Sequence, residues 1–246
     1  MLSKNEIKYI QNLAHKKGRF ENGQFLAEGP KIIGELLTEI PAEIVALYAT
    51  EAWLKANENT LNGVAATRVE QFELEKISTL QTPQQVLAVV KTRTEKFENF
   101  PEGQWLLMAD GIQDPGNLGS MLRIADWFGI THLYCTPATV DIYNPKVVQA
   151  AMGSLWRVKV HVGPCEQWLQ QATVPIYGAM LQGENIFSSI KWPPGLLIIG
   201  NEGRGIQPAL LPFLTQQLTI PKTGHAESLN AAVATGILVA QLCQKG

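Results

Sequence analysis

Beyond residue 104 the chain repeats one device: a short apolar run, a turn, and in most cases a stretch compatible with a helix. The runs fall at 105–109, 131–135, 174–180 and 195–199. Each is too short for a buried helix and lacks polar alternation, so each predicts a strand covered on both faces. Such strands with helices between them build a mostly parallel sheet flanked by helices, an α/β architecture. WRVKVHV (156–162) differs, because it alternates apolar and basic residues, and it predicts an edge or half-exposed strand. With 46% apolar and 17% charged residues among 246, the chain can bury a sizeable core. Disordered, collagen-like and disulfide-scaffold classes are excluded.

The polar stretch RTEKFENFPEGQ (93–104) predicts a linker between a domain at 1–92 and a larger one at 105–246. The first domain reads as small and α/β. It opens with a helix near 3–16, then strand, turn and helix within GQFLAEGPKIIGELL, the helix beginning near Pro30. Further strands are expected at 42–49 and 85–90, with helices near 51–58 and 70–77 between them. Neither an internal repeat nor a low-complexity segment interrupts this pattern.

Cys135, Cys165 and Cys243 stand far apart, without a CxxC pair or a Cys/His cluster. That spacing points away from structural zinc and disulfides and toward a reducing cytoplasm. The start, MLSKNEIKYI, is too polar for a signal peptide. The best membrane candidate, 229–242, is interrupted by Asn230, Thr235 and Gln241 and falls short of the ~20 residues a span needs. A cytoplasmic protein is therefore expected. Net charge is -2, so a nucleic-acid footprint must be local. Residues 1–20 carry five basic side chains against one acidic, whereas 21–95 carry six against eleven. The basic start reads either as a solvated helix or as a patch for phosphates.

Three segments carry chemistry. In DGIQDPGNLGSMLRIADWFGI (110–130), Asp114-Pro115-Gly116 forms a turn and Asn117 is placed to cap the helix that follows. Leu118, Met121, Leu122, Ala125 and Phe128 recur at helical spacing as its buried stripe. Arg123 lies off the stripe, either as a surface partner of Asp126 or as a functional group at the carboxyl end of a sheet. In IIGNEGRGI (198–206) a strand runs directly into glycines that bring bare backbone to the sheet edge. Glu202 reads there as a solvated carboxylate or a site residue. The glycines fall as GxxGxG, which is not the dinucleotide fingerprint. In TIPKTGHAESLNAAVATGILVA (219–240) a loop after Pro221 leads to Glu227-Ser228, which is expected to open a close-packed helix with Ser228 and Asn230 in its first turn.

In this order the three segments resemble the signature motifs of the SpoU/TrmH family of the SPOUT methyltransferase superfamily: Asn117 to Arg123, GNEGxG at Gly200 to Gly205, and IPxxGxxESLN at Ile220 to Asn230. NPKVVQAAMG (144–153) resembles the family's segment between motifs, and KKGRFENGQFLAEG (16–29) its amino-terminal RNA-binding domain, so the likeness covers nearly the whole chain. Lys222 and Ala231-Ala232 depart from it, standing where the family commonly has Met and Val-Ser.

The resemblance implies a homodimeric enzyme that transfers a methyl group from S-adenosylmethionine to a ribose 2'-hydroxyl in structured RNA, ribosomal ahead of transfer RNA, with a trefoil-knotted carboxyl-terminal domain. It implies a cofactor pocket lined by Thr136, Gly200, Asn201, Gly203, Ile220, Ser228 and Leu229. The catalytic set is Arg123 with Asn117, Glu202, Ser228 and Asn230; RNA is held by Lys16, Lys17 and Arg19. No metal and no membrane are called for. Because a guanidinium stays protonated, Arg123 suits stabilisation of alkoxide charge, with Glu202 or a substrate phosphate relaying the proton. The alternatives are a catalytically inactive RNA-binding protein of the same fold and, more distantly, a nucleotide-cofactor oxidoreductase, which the glycine spacing disfavours.

Overall fold

The computed structural model describes residues 1–244; residues 245–246, the end of the expected 105–246 domain, lie outside the described residues. The chain divides into two compact units, Met1–Arg93 with Asp141–Gly153, and Thr94–Val140 with the residues from Ser154 onward.

The first unit begins with α1 (Lys4–Asn12), started by a reciprocal capping box between Ser3 and Glu6. The single helix expected near 3–16 is in fact two, with α2 spanning Lys16–Asn22. The break is a matter of space: a Cβ at Gly18 would lie 2.1 Å from the Asn12 carbonyl oxygen, so only glycine lets the second helix turn back so tightly. Left-handed Gly23 ends α2. β1 (Gln24–Glu28), α3 (Pro30–Glu39, with proline in its first turn), β2 (Ile44–Ala49), α4 (Glu51–Asn57), α5 (Gln71–Ile77) and β4 (Val86–Lys91) follow close to expectation, and a three-residue strand that was not expected, β3 (Ala66–Arg68), lies between α4 and α5. They form a four-stranded sheet in the order β1-β4-β2-β3, antiparallel except for β2 with β3. Its core holds Ile10, Leu13, Leu26, Leu74, Ile77, Leu87 and Val89.

The NPKVVQAAMG segment also belongs to this unit. Its helix α7 (Pro145–Ala151) packs on β1, Gln149 Nε2 donates to the Glu28 carbonyl at 3.0 Å, and Tyr143 stacks on Phe25 with ring centroids 4.6 Å apart.

The second unit is built on a six-stranded, wholly parallel sheet in the order β10-β8-β9-β5-β6-β7. β5 (Leu106–Asp110) and β9 (Leu196–Gly200) lie at its centre, with β6 (His132–Cys135) beside β5. β7 (Lys159–Val162) is an edge strand, as its alternation predicts, but Trp156 and Arg157 of the expected 156–162 strand lie in a helix instead. β8 (Ile176–Asn185) runs past the expected 174–180, and its far half is exposed. β10 (Gln216–Thr219) completes the sheet. The helices are α6 (Pro115–Trp127), α8 (Ser154–Arg157), α9 (Cys165–Leu169) and α10 (Ala231–Leu242), and α10 packs against α6. Phe97 and Phe100, from the polar stretch read as a linker, pack into this unit's core against Trp168 and Tyr134. No helix among the described residues is long and apolar enough to cross a membrane.

Candidate active site

Strand pairing brings the motif loops together. Asp110, the last residue of β5, is in register with Gly200, the last of β9, and Ala109 is in register with Cys135, which precedes Thr136. The connections after β5, β6 and β9 therefore leave the same edge of the sheet side by side, where open α/β sheets bind their ligands.

The helix cap in the first motif is Asp114, whose Oδ1 accepts from the Asn117 backbone N–H at 2.8 Å; the capping role expected of Asn117 is thus corrected. Asn117 sits one turn in, buried, with its side chain free for other work. Its Nδ2 donates to Glu202 Oε1 at 2.6 Å, and its Oδ1 accepts from Asn230 Nδ2 at 2.8 Å. Asn230 is itself the N-cap of α10, its Oδ1 accepting from Ala232 N at 2.9 Å and Val233 N at 3.2 Å. Those two donors fix the orientation of the Asn230 amide. It must present its NH₂ to Asn117, which must present its own NH₂ to the Glu202 carboxylate. One residue from each motif thus forms a single directed chain of hydrogen bonds.

The glycine-rich loop is closed on itself. Asn201 and Gly205 exchange backbone hydrogen bonds of 3.0 and 2.8 Å, and Asn201 Oδ1 accepts from the N–H groups of Gly203 and Arg204. Asn201 Nδ2 donates to the Gly111 carbonyl at 2.9 Å, tying this loop to the first motif. A Cβ at Gly200 would stand 2.3 Å from the Gly205 carbonyl carbon, so the loop can fold back only on glycine.

Thr136 is buried, and its Oγ1 accepts from Gly111 N at 2.9 Å. Beside it lies a residue that sequence reasoning missed. Asp110 is only 3% exposed and accepts from Gln207 N at 2.7 Å and Gln207 Nε2 at 2.8 Å. Burial raises its pKa above the usual carboxylate range, and the Gln207 and Thr136 hydrogen bonds oppose that rise. An acidic residue closing a wholly apolar strand, directly before a glycine, was the signal available in the sequence.

The third motif is an exposed connection rather than a helix start. Residues 221–230 are exposed coil and turn, and α10 begins at Ala231. Ser228, expected in its first turn, stands outside it, with Leu229 exposed and Ile220 half-buried.

Arg123 is exposed and forms no hydrogen bond or ion pair among the described residues. Asp126, the alternative surface partner of Arg123, is engaged elsewhere, accepting from Arg157 Nε and Ser154 Oγ at 2.8 Å each. Phe128, expected in the buried stripe, is exposed, as is Trp127.

In the first unit, Lys16 and Lys17 are exposed on α2. Arg19 overturns its expected role. It is 4% exposed, with Nη1 donating to the Leu13 and Ala14 carbonyls at 3.0 and 2.8 Å, and Nε and Nη2 to Asp141 Oδ2 at 2.9 and 2.6 Å. With its guanidinium so engaged, it is a structural clamp and not a phosphate contact.

Comparison with known proteins accords with this geometry. Residues 104–240 match the SpoU rRNA Methylase family, and residues 4–88 match the MRM3-like substrate binding domain. The 23S rRNA (guanosine(2553)-2'-O)-methyltransferase RlmP of Bacillus subtilis is 32% identical over 241 residues, covering 96% of this chain and 95% of that protein. A TrmH-family protein from Porphyromonas gingivalis superposes with a TM-score of 0.86 at 37% identity, covering 98% of each chain. An AdoMet-bound rRNA methyltransferase from Sinorhizobium meliloti gives a TM-score of 0.84 at 28% identity, covering 98% of this chain and 95% of that one. This chain belongs to the SpoU rRNA methylase family.

Proposed function

We propose that the protein transfers the methyl group of S-adenosylmethionine to a ribose 2'-hydroxyl of ribosomal RNA, acting in the cytoplasm as a homodimer. The observation that carries this reading is the Glu202–Asn117–Asn230 chain, which joins one residue of each motif at the sheet edge of a SpoU-family protein.

The residues present suit the cofactor. Gly200, Asn201 and Gly203 offer backbone and amide groups, Thr136 underlies the neighbouring loop, and half-buried Ile220 with exposed Ser228 and Leu229 supplies an apolar and hydroxyl flank fit for a purine. Bound there, S-adenosylmethionine supplies an electrophilic methyl group on a sulfonium. A dinucleotide suits the site less well, because the glycine loop closes through Asn201 and Gly205 and leads to turns, with no α-helix N-terminus for a pyrophosphate.

The chain's own groups then do three things. Glu202, held by Asn117, is the carboxylate available to the ribose proton, with a substrate phosphate as its competitor for that role. The Arg123 guanidinium, unpaired among the described residues, stabilises the charge that develops on the 2'-oxygen. Asn230 and Ser228 orient the nucleotide and the Asn117 amide, so that the nucleophile is held in line. Support for the dimer comes from exposed apolar residues on two packed helices, Trp127 and Phe128 at the end of α6 and Val233 on α10.

The test is direct. Purified protein, labelled S-adenosylmethionine and large-subunit ribosomal RNA, with a chelator present, should give labelled RNA, and primer-extension mapping should place the label at one ribose. Absence of transfer to ribosomal RNA, with or without added divalent metal, would refute the reading.

A further inference from the structure

α2 presents an aromatic side chain to solvent in the most basic part of the chain. Phe20 is 90% exposed. A lone exposed aromatic needs no explanation. What distinguishes Phe20 is its setting. Lys16 precedes it by four residues and Lys17 by three, so both ammonium groups share its helix face, and both are exposed. Lys17 is shared with Glu21 at 3.7 Å, but that pair is open to water and contributes little against a polyanion. The helix itself is fixed in place. Arg19, next to Phe20 in the helix but turned inward, is bonded to the Leu13 and Ala14 carbonyls and to Asp141, and Gly18, on the far side from Phe20, fits tightly against Asn12.

We propose that Phe20, Lys16 and Lys17 form a nucleotide-stacking platform: an unpaired base of the RNA substrate lies on the Phe20 ring while the adjacent phosphates face the two lysines. The patch is complementary to RNA in charge and in shape. Single-stranded RNA combines a flat π-face with a phosphate on each residue, and proteins hold it with aromatic rings set among cations. An apolar protein surface would cover the ring but leave the two lysines unmatched, and a second copy of this chain would oppose lysine with lysine. Because the Arg19 clamp holds α2 rigid, little ordering cost opposes stacking. This inference rests on the RNA methyltransferase reading and assigns the part of the RNA that the first unit grips.

The experiment uses the full-length protein and a large-subunit ribosomal RNA transcript, with binding measured at several salt concentrations. Phe20→Ala should weaken binding about tenfold without changing the salt slope, since stacking involves no counterion release. Phe20→Leu should behave like Phe20→Ala, and Phe20→Trp should retain binding. Lys16→Ala with Lys17→Ala should lower the salt slope by about two. Affinity for S-adenosylmethionine should not move. Three outcomes overturn the platform: Phe20→Ala binding as well as wild type; Phe20→Leu restoring binding, which indicates apolar cover alone; or Phe20→Ala changing the oligomeric state by light scattering, which assigns the ring to a second copy. If wild-type protein neither binds nor methylates ribosomal RNA, the functional reading fails as well. Wild-type methylation with unaffected Phe20 variants defeats only the platform.

Discussion

Asn230 reaches Asn117 across 113 residues of sequence, its Nδ2 lying 2.8 Å from Asn117 Oδ1 while its own Oδ1 caps α10. One side chain thus performs both the structural and the site-building role. Asn230→Asp separates them, because aspartate caps a helix as well as asparagine but places an acceptor against the Asn117 carbonyl oxygen. The variant should keep its fold, with a stability loss of about 1 kcal/mol. Methyl transfer should drop by at least about tenfold as Glu202 loses its oriented partner. Thermal unfolding and steady-state turnover, measured on the same preparation, check both halves.

Arg123→Ala isolates the role proposed for the exposed guanidinium. Since Arg123 has no partner among the described residues and Asp126 is bound by Arg157 and Ser154, stability should change by less than about 0.5 kcal/mol. Transfer should be abolished with cofactor binding intact, as calorimetry with S-adenosylhomocysteine would register. Retained turnover removes Arg123 from the reaction.

Arg19 shows how far a sequence can and cannot be read. Arginine in a basic amino-terminal stretch carries the same local signal whether it faces a phosphate or clamps a turn. What decides is Asp141, 122 residues away, and no spacing rule connects the two. The break between α1 and α2 escaped for a similar reason, since it depends on the approach of Gly18 to Asn12, a tertiary fact. By contrast, β5 and β9 were legible because strands buried on both faces leave an unbroken apolar run, and the loops after them because tight turns demand glycine. Asp110 was visible yet unremarked: one acid at a strand end has no pattern until Gln207 is placed beside it.

The clamp makes its own prediction. Arg19→Ala leaves the largely buried Asp141 carboxylate without its cation, a loss on the order of 3 kcal/mol, reduced somewhat by the residual exposure of Asp141. Denaturant unfolding should show a marked fall in midpoint for Arg19→Ala and almost none for Lys16→Ala with Lys17→Ala. Equal stability of all three proteins would contradict the structural assignment.

Acid should weaken the edge of the second unit's sheet. His132 on β6 and His161 on β7 stack with rings nearly parallel, Nδ1 of the first 3.0 Å from Nε2 of the second. Burial lowers both pKa values, and the facing imidazole and Lys159 lower that of His132 further, while Glu95 opposes the shift in both. Below about pH 6.5 the unfolded chain therefore binds protons that the folded pair resists, so stability falls as pH drops through that range and is insensitive to this pair above it. His161→Phe, which keeps a ring in the stack, should flatten the acid limb of a plot of stability against pH. An unchanged limb would assign the acid sensitivity elsewhere.

The proposed homodimer can be tested at two residues. Trp127 is 85% exposed at the end of α6, the helix that carries Arg123, and Val233 is exposed on α10, which packs against α6. Both lie away from this chain's own core, so a charge at either place perturbs an interface without opening a cavity. Trp127→Glu should yield a folded monomer by light scattering at concentrations where wild type is a dimer. If each site draws on the partner subunit, that monomer should also lose methyl transfer, even though Asn117, Glu202 and Asn230 remain in place. A monomer with full activity would show that one chain suffices. A dimer that survives both Trp127→Glu and Val233→Glu would move the interface off these two helices.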